Sequence, residues 1–357
     1  MMKQYLIWSK LAFSLSTLFI FSTCIFNYKI DSLGLFGNTN YLLKAAKVLT
    51  NGHMIAGLKD NDERLFQELI IKNLKVKNEV VLIGSSRSME IRKRFFLEDK
   101  TTFFNHSVSG ASLEDYIAII GIYEAIRGYL PKTIILGIDP WIFNKYNGQR
   151  RWKTLGKYYD YEIQKIYNNN IANESIVNVT KWKQLINYDY TIANIKFLQN
   201  ILKNKHQFYM TDKINIDDIV KETDGSIHYP FKRRFIGKEE VLKSAIQYTK
   251  EPVYSLEKFT RLDNISLFES LIQYLQQKKI KIIFFLPPYN PISYDILSQE
   301  KKYKIIDNIE NYIRDFAAKK QIIIKGSYNP HKYKFKVNDF FDGMHGHEIV
   351  PKVIFQE

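Results

Sequence analysis

Cysteine is nearly absent: Cys24 is the only one in 357 residues. No disulfide can therefore close within the chain, and a cysteine-rich metal site is excluded. Cys24 lies inside an apolar stretch near the amino terminus, so cysteine usage gives no reading of the redox compartment. Internal repeats are missing. No small-x-small cleavage site follows Phe26, where Asn27, Tyr28 and Lys29 stand instead, which disfavours a cleaved secretory signal. A lipoprotein signal ending at Cys24 fits poorly, because Phe21-Ser22-Thr23 precedes it in place of small Ala or Gly. A nucleic-acid module is lacking too: the basic residues are dispersed in groups such as Lys72, Lys75 and Lys77, or Arg150, Arg151 and Lys153, or Lys232, Arg233 and Arg234. Acidic side chains are in deficit, 37 Asp+Glu against 52 Lys+Arg, for a net charge of +15. Such a surplus favours anionic surfaces such as phospholipid headgroups, acidic glycans or teichoic-type polymers. A solvated, lysine-rich surface yields the same number, so charge alone selects no partner.

What is present begins with apolar mass. Hydrophobic residues make up 45% and aromatics 15%, enough for a sizeable core and too much for global disorder. Leu11 to Phe26 is uncharged and dominated by Leu, Phe and Ile, and Tyr5 to Ser9 extends it ahead of Lys10. A helix over that stretch rises about 24 Å, and the preceding turn completes a ~30 Å hydrocarbon core when Lys10 snorkels to the headgroups. The expectation is an uncleaved transmembrane anchor over 1–30, with 31–357 forming the globular part. Lys3 and Lys10 on one side, against Lys29, Lys44 and Lys47 on the other, leave the orientation undetermined by charge.

Beyond a stalk or first helix in 31–60, a rhythm sets in. Glu79 to Ile83, Thr101 to Phe104, Thr133 to Leu136, Ile280 to Leu286 and Gln321 to Ile324 are short, nearly all-apolar runs. They have the pattern of strands buried on both faces. Leu113 to Tyr129, Leu267 to Lys279 and Lys302 to Lys320 show helical spacing, with Ser112 as N-cap of the first. Strand–helix alternation predicts an α/β fold, a three-layer α/β/α sandwich around a parallel sheet, with chemistry at the carboxyl ends of the strands. The stretch 141–256, rich in Tyr, Asn and Lys, breaks the rhythm and reads as a mostly helical insertion. Within it, Thr223-Asp224-Gly225-Ser226 has the turn chemistry of a hairpin.

Two segments carry candidate chemistry. Ile83-Gly84-Ser85-Ser86-Arg87-Ser88 follows a buried strand directly, so a tight turn can present Ser86 at the sheet edge near a helix N-terminus, where backbone N–H groups stabilise an oxyanion. A serine-rich turn that merely caps the next helix fits the same letters. Near the carboxyl end, Phe341-Asp342-Gly343-Met344-His345 spaces a carboxylate and an imidazole for one compact turn. The acid then fixes the tautomer of a base facing a serine hydroxyl. His347 and Asp339 are rivals for those two roles, and a surface turn or partial metal site is the plainer reading of the segment alone.

Together and in this order, these segments resemble the SGNH (GDSL-like) hydrolase superfamily over about residues 78–140 and 278–357, leaving the insertion unaccounted for. The family's Gly-Asp-Ser block is matched by Gly84-Ser85-Ser86, its glycine block within Asn105 to Ser112, and its closing Asp-x-x-His by Asp342 to His345. The resemblance implies Ser86 as nucleophile, His345 as base and Asp342 as its orienting acid. Gly110 is then a backbone oxyanion donor, with Ser85, Asn105 and Asp139 in the oxyanion and substrate-binding blocks. One block departs: the family's Gly-x-Asn-Asp stands here as Gly137-Ile138-Asp139, and an ionised carboxylate cannot donate to an oxyanion. Asp139 is therefore protonated, or serves another purpose, or the hole uses backbone donors alone.

That departure, the Gly-Ser-Ser triplet, the anchor and the insertion together are similar to a branch of membrane-tethered proteins of alginate O-acetylation and of D-alanyl transfer to teichoic acids. Those act outside the cytoplasm beside a polytopic membrane-bound O-acyltransferase. The resemblance implies a serine O-acyltransferase or esterase that modifies a cell-surface polysaccharide or other polymer through an acyl-Ser86 intermediate, without metal or cofactor and without nucleic acid. The rivals are a non-catalytic accessory protein that holds polymer or partner, and a plain extracytoplasmic esterase. Of the lesser features, His106 is expected as a hydrogen-bonded core-edge histidine and Pro287-Pro288-Tyr289 as a rigid loop. His228 is expected at the surface, and Trp141, Trp152 and Trp182 in core packing.

Overall fold

The computed structural model describes residues 2–31, 36, 40–58, 61–96, 100–167, 182–202 and 208–357. Met2–Ile30 is one helix, and its stretch Ile7–Ile30 (24 residues, mean hydropathy 1.5) has none of its most apolar window buried against the rest of the chain. By length and composition it can cross a membrane.

Nine strands follow among the described residues: β1 (Ile55–Ala56), β2 (Val80–Ile83), β3 (Phe103–Asn105), β4 (Thr133–Gly137), β5 (Tyr209–Met210), β6 (Val220–Lys221), β7 (Ile227–His228), β8 (Lys281–Leu286) and β9 (Ile323–Gly326). Five of them form an all-parallel sheet in the order β3-β2-β4-β8-β9. Each of the five apolar runs read from the sequence lies in it. The runs of β2, β3 and β4 lack polar alternation because both faces are covered, as the two-residue period of a strand requires, whereas the edge strand β9 leaves Ile323 exposed. Val81, Ile83, Ile134, Leu136 and Phe284 enter a large cluster with the helices Glu63–Asn73, Leu113–Ile122, Ile265–Gln277 and Ile305–Lys320. Val80, Leu82, Ile135 and Phe285 enter a second cluster with Phe340, Val350, Ile354 and Phe355, the last three from the closing helix Ile349–Gln356.

The helix expected over Leu113 to Tyr129 is α-helical to Ile122 and then loosens into a π turn, Tyr123–Arg127, that ends at Gly128 in the left-handed region (φ 68°). At its start Asp115 accepts the Ser112 N–H at 2.9 Å and is gripped by both arms of Arg64 at 3.0 Å, so the cap is also a buried ion pair.

Among its described residues the stretch 141–256 is mostly helical, with three short strands between the helices. Its helices Gly156–Ile166, Tyr188–Leu202, Phe231–Arg234 and Lys238–Lys250 are accompanied by β5 and β6, which flank β1, and by β7 on β6, in a small antiparallel sheet ordered β5-β1-β6-β7. The expected hairpin is there, joining β6 to β7 through Asp224 and Gly225 (φ 83°). Because β1 precedes the main sheet in sequence, the insertion is tied to the body of the protein. Residues 168–181 and 203–207 of this stretch lie outside those described.

Candidate active site

The carboxyl ends of β2 and β4 approach closely. Gly84 and Gly137 face one another there with Ser88 wedged between them, and a Cβ on either would meet the Ser88 side chain. The chain leaves β2 into a single 3₁₀ turn, Ser86–Ser88, capped by Ser85, whose Oγ accepts the Arg87 N–H at 3.1 Å. From Val80 to Arg92 every residue is buried except Ser86. The turn thus exposes one hydroxyl and hides its neighbours.

The partner comes from the far end of the polypeptide. Phe341 donates its N–H to the His345 carbonyl at 2.9 Å, closing a tight loop in which Asp342 Oδ1 accepts the N–H groups of Met344 and His345, both at 2.9 Å. Gly343 is required in this loop because the Tyr248 and Ser293 side chains occupy the space of a Cβ. His345 Nδ1 lies 2.9 Å from Asp342 Oδ2, and His345 Nε2 lies 2.9 Å from Ser86 Oγ. Burial pushes the Asp342 carboxyl up. The neighbouring imidazole and the backbone N–H groups outweigh burial and hold it well below the ordinary carboxylate range. An ionised Asp342 places the imidazole proton on Nδ1 and leaves Nε2 to accept from Ser86 Oγ.

The rivals lie elsewhere in the same loop. Asp339 accepts the Lys336 N–H at 2.7 Å and closes a turn. His347 packs against Phe341 with tilted rings 4.0 Å apart, and burial lowers its pKa to about 4.

Asp139 has another purpose. It is fully buried and accepts from Arg87 Nη1 at 2.9 Å, an ion pair whose two side chains are both 0% exposed. Burial is the largest single influence on each: it raises the Asp139 carboxyl from its usual value, whereas on Arg87 the Asp139 charge and the surrounding Tyr289, Tyr248 and Tyr328 together outweigh it and favour the protonated guanidinium. The other arms of Arg87 donate to the Met344 carbonyl at 2.9 Å and the Pro287 carbonyl at 2.6 Å, and its plane lies 4.2 Å from the Tyr289 ring centroid. Pro287 and Tyr289, read as a rigid loop, are thus part of this seat.

The remaining residues from the sequence reading are also committed. Asn105 donates its amide to the Ser88 and Ile91 carbonyls at 2.9 and 3.0 Å and so fastens the segment after the Ser86 turn. Ser85 is fully buried as the cap. Gly110 has φ 54°, and a side chain there would strike the Tyr254 hydroxyl and the Arg151 guanidinium. His106 is buried between Gln67 and Tyr123, at 2.7 Å from each. His228 is not at the surface: it is 2% exposed, with Arg92 at 2.8 Å and Glu222 at 2.6 Å on its two ring nitrogens. Trp141 is buried and donates to Ala111, Trp152 packs on Tyr159, and Trp182 is 57% exposed.

Three residues here were not singled out from the sequence: Arg87, Tyr229 and Arg233. Tyr229 donates its hydroxyl to the Ser86 carbonyl at 3.2 Å and sets its ring edge-on to His345. Arg233 lies 3.0 Å from Asp342 Oδ2 and covers the Tyr229 ring at 4.5 Å. Both belong to the insertion, which is therefore built into the site.

Neither a protein-family model nor a curated protein sequence matches this chain.

Proposed function

We propose that this chain is a membrane-tethered serine O-acyltransferase or esterase of the SGNH type. In this reading the parallel sheet with an apolar cluster on each face is the core of a three-layer α/β/α sandwich. The Met2–Ile30 helix is an anchor that holds the globular part outside the cytoplasm, beside a polytopic membrane acyltransferase. The substrate is an acyl ester, and the acceptor is a hydroxyl of a cell-surface polysaccharide or related polymer.

The observation that carries the reading is the alignment of Ser86 Oγ, the His345 imidazole and the Asp342 carboxylate at 2.9 Å across each step. Ser86 Oγ attacks the acyl carbonyl while His345 Nε2 takes the hydroxyl proton, and Asp342 stabilises the imidazolium that results. Collapse of the tetrahedral adduct breaks the acyl–oxygen bond, and His345 returns the proton to the leaving alcohol. The acceptor hydroxyl, or water, then gives its proton to His345 and attacks the acyl carbonyl, and Ser86 Oγ leaves as it takes that proton back from His345. With Ser85, Asn105 and Asp139 committed to buried partners, the oxyanion falls to backbone N–H groups at the Ser86 turn and at Gly110.

This assignment gives Asp139 a positional purpose, which removes the argument that its carboxylate spoils an oxyanion hole and so favours a non-catalytic protein. The test is acyl release from an activated small ester, measured with and without polymeric acceptor. Replacing Ser86 with Ala lowers the rate at least ~10³-fold, and acceptor-stimulated turnover marks a transferase over a hydrolase. An Ser86→Ala protein of undiminished activity refutes the proposal.

A further inference from the structure

The end of the Met2–Ile30 helix is clasped by the insertion. Asn27 is fully buried; its amide donates to the Leu185 carbonyl and to Thr191 Oγ1, both at 2.8 Å, and its Oδ1 accepts from Asn194 at 2.9 Å. One turn on, Asp31 Oδ1 accepts the Tyr190 hydroxyl at 2.7 Å. These bonds fix the depth of the segment 185–194 relative to the apolar helix. The 24 residues of Ile7–Ile30 rise ~36 Å, more than the ~30 Å of a hydrocarbon core. Asn27 sits three residues, ~4.5 Å, before the end of that stretch. In a membrane this level is the headgroup layer.

The same segment exposes what water disfavours and headgroups accept. Trp182 is 57% exposed, Ile186 63%, Tyr188 76% and Ile195 38%. Lys183 and Lys196 are exposed among them. An aromatic chain links the group to the anchor: Tyr28 to Phe36 at 5.4 Å, and Phe36 to Trp182 at 5.5 Å between ring centroids. Trp and Tyr concentrate at membrane–water boundaries, lysines reach the phosphates beside them, and an amphipathic segment buries its apolar face a few ångströms into the acyl boundary.

We infer that residues 182–195 form a collar lying in the headgroup layer of the leaflet from which the helix emerges. Its ligand is the phospholipid headgroup–acyl boundary, with Trp182, Ile186, Tyr188 and Ile195 inserted. The inference rests on the reading of Met2–Ile30 as a membrane span. The collar and the clasp then act as two anchoring points, so the globular part is held at one tilt above the bilayer and does not swing on a single tether.

The test uses the full chain with Cys24→Ser, which leaves no native thiol. Ile186→Cys and Phe13→Cys are each labelled with an environment-sensitive fluorophore, and Lys232→Cys serves as a site away from the collar. All three positions are exposed, so labelling leaves packing undisturbed. The proteins are reconstituted into phosphatidylcholine vesicles with and without brominated chains. Quenching at position 186 of the same order as at position 13, with none at 232, is the expected result. A quenched position 13 with an unquenched 186 overturns the collar and leaves the anchor standing. Quenching at neither position refutes the membrane span, and the collar with it.

Discussion

Arg87 donates to the carbonyl of Met344, and so the residue that follows Ser86 is bonded to the residue that precedes His345. The 2.9 Å approach of Ser86 to His345 is in this way a consequence of a buried guanidinium as much as of two loops. Asp139 holds that guanidinium from the end of β4, and the Pro287 carbonyl receives it at the end of β8. Three neighbouring strand ends thus share one cation.

This arrangement separates stability from geometry. Asp139→Asn leaves Arg87 buried without its counter-charge and costs ~3–5 kcal/mol of stability. The double variant Arg87→Met with Asp139→Leu removes both charges and stays within about 1–2 kcal/mol of the parent, because buried ion pairs exchange for apolar pairs at little cost. Its unfolding midpoint recovers, whereas its ester turnover does not, since nothing then joins Met344 to the Ser86 turn. Recovery of both in the double variant shows that Arg87 is merely structural.

Arg233 reaches Asp342 from the insertion and is 41% exposed, so solvent screens it and its effect on stability is small. Its effect on catalysis is read in ester turnover. Arg233→Gln withdraws a charged hydrogen bond from the carboxylate that orients the imidazole, and kcat/KM falls about 10-fold or less while the unfolding midpoint stays put. Unchanged turnover contradicts the role.

Asp342→Asn keeps the loop hydrogen bonds from Met344 and His345 within reach but no longer holds the proton on Nδ1. Activity falls by about 10⁴-fold with the fold retained, which steady-state ester hydrolysis alongside circular dichroism checks.

Much of this site was legible because short turn chemistry fixes it locally. Gly84 and Gly137 mark strand ends that must approach closely, and Asp342 and His345 sit three apart on one loop. Arg87, Arg233 and His228 were illegible for the opposite reason: their partners lie far off in sequence. Arg233 read as one of a basic surface trio, and His228 as a surface residue of the hairpin. One signal was available for Arg87. Asp139 stands where a neutral donor was expected, a buried carboxylate needs a cation, and Arg87 is the single charge between Val80 and Met89. The small antiparallel sheet escaped notice because its strands are two residues long, below any reliable periodicity.

Glu90 gives a pH prediction for stability. Burial, opposed by Arg92, raises its carboxyl to about 8. The folded protein therefore retains a proton that the unfolded chain, with an ordinary value near ~4.3, has already lost. Its protonated form contributes fully below the unfolded value, and stability declines as pH rises from there toward about 8. Glu90→Gln, which cannot ionise, flattens that decline. Denaturant midpoints at pH 6 and pH 9 check it: the parent drops more between the two than the variant. Equal drops in both refute the assignment.

The central claim is that Ser86 is a nucleophile. Incubation of the full chain with a serine-directed fluorophosphonate, followed by peptide mass spectrometry, measures this directly. The account predicts a single covalent adduct on Ser86 that disappears in His345→Ala. No adduct at Ser86, or labelling that persists undiminished without His345, contradicts it.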